Sequence, residues 1–119
     1  MSTTTAEEQK FLKGGEFIIR ESKSEDIFIP EDFNEEQRMM AQATTEFMEK
    51  EVAPHRERFE KKDYALTEEL MKKVGELGLL GITVSEEYGG LGMDFNTSML
   101  VTDRISGMTG SLSTAYGAH

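Results

Sequence analysis

The sequence of 119 residues contains no cysteine, no tryptophan, two prolines and two histidines. Without cysteine there is no disulfide framework, no thiolate nucleophile and no zinc site built on sulfur, and a reducing compartment is the expected setting. His55 and His119 alone cannot assemble a metal site that needs several nitrogen ligands. Neither has a glutamate three residues before it, which excludes the Glu-x-x-His pairs of di-iron bundles. Positive charge is also scarce, with 13 Lys and Arg against 23 Asp and Glu, a net charge of -10. Such a chain repels phosphate backbones and anionic lipid, so nucleic acid and membrane surfaces are not the expected partners. No apolar run approaches the roughly 18 residues of a membrane helix. The start, MSTTTAEEQKF, matches neither a secretory signal nor a mitochondrial presequence. A bacterial cytoplasmic location is expected from that absence of signals, and the length allows one domain at most.

What is present begins with an arm over residues 1–33. Its polar start, Gly14-Gly15 and the charged stretch Arg20 to Asp26 argue against a continuous helix, so a largely irregular, partly disordered segment is expected. Two apolar patches, Phe17-Ile18-Ile19 and Ile27-Phe28-Ile29, are suited to docking on a neighbour. A strand pair is the rival reading, disfavoured because an isolated hairpin is marginal in water.

Residues 34–119 read as an all-α domain of about four helices. Asn34 with Gln37 has capping-box spacing, and Glu35 and Glu36 suit the positive end of the helix dipole. Met40, Ala43, Phe47, Met48 and Val52 then recur at helical spacing, and Pro54 is expected to end the helix. The tract from His55 to Asp63 reads as a solvated connector with His55 exposed. Thr67 is the expected cap of a second helix that buries Leu70, Met71, Val74 and Leu77, with Gly78 as its left-handed stop. Ser85 can cap a single turn before the glycines at 89, 90 and 92. A third helix starts between Asp94 and Thr97 and runs to about Ser106, its apolar residues Met99, Leu100, Val101 and Ile105 covering an arc broad enough to be buried on more than one side. A last helix, rich in small residues, follows Gly110.

None of these features supplies chemistry alone. The pairs Glu35-Glu36, Glu68-Glu69 and Glu86-Glu87 each follow a cap residue, so dipole stabilisation accounts for them. Gly89-Gly90-Leu91-Gly92 lacks the Lys-Ser/Thr ending of a P-loop and the spacing of a dinucleotide fingerprint, which favours a structural turn. The methionines at helical spacing, Met39, Met40, Met48, Met71 and Met99, read as adaptable core.

The stretch LGLLGITVSEEYGGLG, Leu77 to Gly92, resembles the N-terminal helical domain of the acyl-CoA dehydrogenases. Asn34-Glu-Glu-Gln37, Glu51-Val-Ala-Pro54 and Gly117-Ala-His119 occur in the family's order, and the arm is most similar to the very-long-chain branch and its bacterial relatives. Two positions depart from the family pattern: Ser85 stands where proline is usual, and Asp103-Arg104 where an acidic pair is frequent. The resemblance implies an FAD-dependent enzyme that removes an α proton and a β hydride from an acyl-CoA thioester in fatty acid β-oxidation. It further implies a homo-oligomer that passes electrons to an electron-transferring flavoprotein. The catalytic glutamate and most flavin contacts of that family lie in segments this chain does not contain, so no catalytic or cofactor residue is assigned, and the chain alone is expected to be inactive and not to hold FAD stably. The same resemblance places Ser113, Tyr116 and Gly117 at the far end of the acyl pocket. Ser111, Ser113, Ala115 and Gly117 are small, which implies a deep pocket for a long acyl chain, although small residues equally permit close helix packing. The alternative function is a non-catalytic helical module that docks on a dehydrogenase-like partner.

Overall fold

The computed structural model describes residues 11–119, in two units, one up to Asn34 and one from Glu35. The expectation of a disordered beginning falls on residues 1–10, outside the described ones.

The first unit is held by local bonds. Its one helical turn, α1, spans Glu16–Ile19, and two 3-10 turns follow at Ser24–Asp26 and Pro30–Asp32. Each turn uses the same device: a carboxylate accepts the N–H three residues before it, Glu16 from Lys13, Asp26 from Lys23 and Asp32 from Ile29. Leu12 N–H donates to Asp26 O at 2.9 Å. Phe28 stands edge-on to both Phe11 and Phe33, with ring centroids 5.3 and 5.0 Å apart. No strand forms among the described residues.

The second unit contains five α-helices: α2 (Glu35–Phe47), α3 (Arg56–Glu60), α4 (Tyr64–Glu76), α5 (Phe95–Ser106) and α6 (Gly110–Ala118). The buried side of α2 is Gln37, Ala41, Thr44, Phe47 and Met48, while Ala43 faces out, contrary to expectation. The stripe is partly polar. Gln37 Nε2 donates to Thr97 Oγ1 at 2.7 Å and to Asp94 Oδ1 at 3.3 Å, pinning α2 to the first turn of α5. Asp94 Oδ1 also accepts from Thr97 N–H and Oγ1–H, which makes it the cap of α5.

Pro54 acts differently from expectation. The chain passes from α2 into a π turn, Met48–Val52, in which Ala53 N–H donates to Met48 O, and then into a 3-10 turn, Ala53–His55. Widening the turn before the proline accommodates a residue that has no N–H to offer. The expected connector contains α3, anchored by buried Phe59, and His55 is half-buried rather than exposed. Helix α4 begins at Tyr64, a turn earlier than expected. Arg58 binds Asp63 Oδ2 at 2.8–2.9 Å, leaving Oδ1 to accept Leu66 N–H as the cap. The Arg58 hydrogen bond, then that from Leu66, holds the Asp63 carboxyl below its ordinary range. Glu68 and Glu69 are therefore inside α4, beside Lys72 at 2.9 Å and Lys73 at 3.4 Å, where i,i+4 pairing rather than the dipole explains them.

At the end of α4 the expected stop is present. Gly78 has φ +79, with Gly78 N–H on Gly75 O and Leu79 N–H on Val74 O, a Schellman motif. The following segment folds back on itself: Leu91 N–H donates to Gly81 O, Gly92 N–H to Val84 O and Met93 N–H to Ile82 O, at 2.8–2.9 Å. Leu79 and Ile82 enter the core beside Phe47, Met48, Val52, Phe59, Leu66, Leu70, Val74, Val101, Ile105, Leu112 and Tyr116. Helix α2 packs on α5, α5 on α6, and α6 on α4. Leu77 and Met99, expected inside, are 48% and 44% exposed.

Two adjacent glycines serve opposite purposes. Gly89 has φ +84 and open space around it, so only its backbone conformation requires glycine. A side chain on Gly90 would place its Cβ well under 3.0 Å from the Val84 backbone. Gly89→Asn, tolerated in the left-handed region, is expected to cost less than about 1 kcal/mol. Gly90→Ala is expected to cost about 3 kcal/mol, because two backbones must move apart. Urea unfolding of the two variants checks the order.

Candidate functional site

The residues singled out for a pocket all lie on α6. Arg56 Nη2 donates to Met108 O at 3.3 Å and holds the turn before the helix, and Ser113 N–H donates to Thr109 O to start its hydrogen-bond ladder. Helical spacing then divides the residues into two faces. Leu112, 0% exposed, and Tyr116, 4%, point into the core. Gly110, Ser113, Thr114 and Gly117 share the other side.

Each of the three candidate residues has a distinct position. Tyr116 crosses the core to donate its hydroxyl to Leu79 O at 2.8 Å, and burial pushes its phenol above the ordinary tyrosine range. The imidazole of His119 contacts both Tyr116 O and Leu80 O, the latter at 3.0 Å, so two successive carbonyls after the Gly78 stop receive the end of α6. Ser113 is half-buried, its hydroxyl 2.7 Å from that of Ser106 at the end of α5. A Cβ on Gly117 would meet nothing within 4 Å. Ser113 and Gly117 thus lie one turn apart on a face of small side chains, while Tyr116 anchors the helix from behind.

On α5, Phe95, Met99, Thr102 and Ser106 line one side by the same spacing, and Phe95 is 69% exposed. Through the Ser106–Ser113 bond this side adjoins the small-residue face of α6. Sequence reasoning missed Phe95, whose signal is an apolar residue immediately after the cap Asp94, outside the arc of Val101 and Ile105.

Among the described residues no group of three His, Cys, Asp or Glu is placed to hold a metal, and no buried side-chain polar atom lacks a partner. The N–H groups from Gly89 to Met93 all donate to backbone carbonyls, so the glycine turn has none to offer a phosphate. A concave surface of about 260 Å³, lined by Phe47, Glu51, Lys73, Glu76 and Leu77, has its lysine bound to Glu51 at 2.7 Å. Lys73, chiefly by hydrogen bonding, holds the Glu51 carboxyl below its ordinary range.

The chain belongs to the acyl-CoA dehydrogenase family: residues 34–119 match the family model described as acyl-CoA dehydrogenase, N-terminal domain. It is 45% identical over 107 residues to a probable acyl-CoA dehydrogenase of Bacillus subtilis, covering 90% of this chain and 18% of that protein. It is 36% identical over 88 residues to mitochondrial isovaleryl-CoA dehydrogenase of Solanum tuberosum, covering 73% and 21%. The crystal structure of an acyl-CoA dehydrogenase complexed with FAD from Bacillus anthracis superposes with a TM-score of 0.82 at 41% identity, covering 91% of this chain and 18% of that one. The chain thus spans about a fifth of the length of these relatives.

Tyr116→Phe is expected to cost about 1–3 kcal/mol, because Leu79 O loses its buried donor. A phenol raised by folding contributes stability that is complete below the ordinary tyrosine value of 10.0 and lost as pH rises through the folded one. The variant should therefore show a shallower loss of Tm with alkaline pH than the parent chain, as thermal melts between neutral and alkaline pH would show.

Proposed function

We propose that this chain is the N-terminal portion of an FAD-dependent acyl-CoA dehydrogenase that carries out α,β-dehydrogenation of long-chain acyl-CoA in fatty acid β-oxidation. The observation that carries this reading is the open face of α6 at Gly117, within a domain matched by the family model over residues 34–119. In this reading Ser113 and Gly117 line the far end of the acyl pocket. Tyr116 keeps the wall in place through Leu79 O and closes the pocket from behind. The protein of Bacillus anthracis named above is complexed with FAD, which supports flavin as the cofactor here. The remainder of the enzyme would bind the flavin, supply the base and accept the reducing equivalent, so the 119 residues alone would be inactive.

Electron-transferring flavoprotein as electron acceptor and a homo-oligomeric assembly belong to the same reading. A bacterial cytoplasmic setting is supported by the similarity to the Bacillus subtilis protein.

The test is chain-length dependence in the full-length enzyme. Gly117→Glu places a long charged side chain where glycine leaves open space, and desolvating a carboxylate against a hydrocarbon tail is costly. It should reduce kcat/KM on long-chain acyl-CoA at least tenfold more than on short-chain substrates. Equal loss at all chain lengths would contradict the pocket.

A further inference from the structure

The arm has the opposite character to the domain it precedes. No residue from 11 to 33 is buried, and Phe17, Ile18, Ile19, Ile27 and Ile29 are 58%, 75%, 85%, 40% and 46% exposed. Yet the segment has a defined shape: three carboxylate-capped turns, an edge-to-face trio of Phe11, Phe28 and Phe33, and the Leu12–Asp26 bond joining its two halves. About two dozen residues with no buried side chain cannot offset their own ordering entropy, so the shape requires a surface to rest on.

The relatives indicate which surface. The 107-residue match to the Bacillus subtilis protein exceeds the 86 residues from 34 to 119, so it includes at least 21 arm residues. The 88-residue match to the potato enzyme accounts for little more than the helical domain. Dividing matched length by the covered share, 107 by 0.18 and 88 by 0.21, gives chains of about 590 and about 420 residues. The Bacillus anthracis protein, also matched over 91% of this chain at 18% of its own, belongs with the longer one. The arm accompanies roughly 170 additional residues, of which it supplies only a few dozen itself.

We propose that the arm is a docking element whose exposed Phe17-Ile18-Ile19 and Ile27/Ile29 patches pack on the additional segment that long relatives possess and short ones lack. The inference rests on the reading of this chain as the N-terminal portion of a longer enzyme. A partner within the same chain suits so small a patch. Five apolar side chains fall far short of the roughly 1,200–2,000 Å² that a separate stable interface needs, whereas a tethered partner is present at high effective concentration. Residues 11–33 of the arm carry Lys13, Arg20 and Lys23 against Glu16, Glu21, Glu25, Asp26, Glu31 and Asp32, so the surface that receives it is apolar with a basic rim.

The experiment is lysine cross-linking with mass spectrometry on the full-length protein, assembled from a mixture of isotopically light and heavy subunits. Lys13 and Lys23 are exposed beside the patch. Cross-links from them to the additional segment within one subunit are expected, reduced at least fivefold in the Ile18→Asp/Ile19→Asp variant. Hydrogen exchange of residues 16–20 should be slowed at least tenfold relative to an unstructured peptide and lose that protection in the same variant. Cross-links confined to a neighbouring subunit, or exchange at the unstructured rate, would overturn the docking. A natural protein of only 119 residues would instead overturn the reading on which it rests.

Discussion

Everything in the helical unit is arranged around the backbone between Gly78 and Met93. The chain must leave α4, turn back and enter α5 while placing Leu79 and Ile82 in the core, and it does so by bringing Gly90 against Val84 more closely than any side chain would allow. The N–H groups of Leu91, Gly92 and Met93 then find carbonyls across the turn. Holding the two sides of the turn further apart would leave these N–H groups without their carbonyls, so the close approach and the hydrogen bonds depend on each other. The same turn presents Leu79 O and Leu80 O to α6. The wall proposed for the acyl pocket is therefore aligned by a loop that itself carries no reactive group.

This arrangement explains why a glycine-rich turn that invites comparison with phosphate cradles directs its N–H groups to its own backbone. A cradle needs N–H groups directed outward, and here they are directed across the turn. The two sides of α6 differ in burial. Leu112 and Tyr116 on one side fix the helix, Ser113 on the other ties it to Ser106, and Gly117 leaves open space. The exposed Phe95 and Met99 on α5 extend that outer side with apolar surface, the kind of surface that accepts further protein or a hydrocarbon chain.

Legibility in the sequence followed the strength of local signals. Gly78 as a stop and Asp94 as the edge of α5 were readable because a left-handed residue and a capping carboxylate act on their nearest neighbours. The buried stripe of α2 was misread by one position, since two of its members, Gln37 and Thr44, are polar and invisible to an apolar periodicity; their burial is made possible by bonds to Thr97, Asp94 and Met40 O. Helix α3 was hidden because Phe59 is its single buried residue in a run of charges. Asp63 competed with Thr67 as a cap, and Arg58, by fixing one carboxylate oxygen, decided the matter. At the candidate site the sequence marked small residues on α6, but the division between Tyr116 facing inward and Gly117 facing outward required knowing where Leu79 O lies.

The central claim is that the backbone of the 78–93 turn unfolds only together with the helical core, although residues 83–89 lie at the surface. Native-state hydrogen exchange on the amides of Leu91, Gly92 and Met93 tests it directly. The account predicts that they exchange only with the global unfolding of the helical unit, at the same free energy as the amides of Val101 and Ile105 in the middle of α5. Exchange of the three turn amides at the rate of an exposed loop, while α5 stays protected, would contradict it.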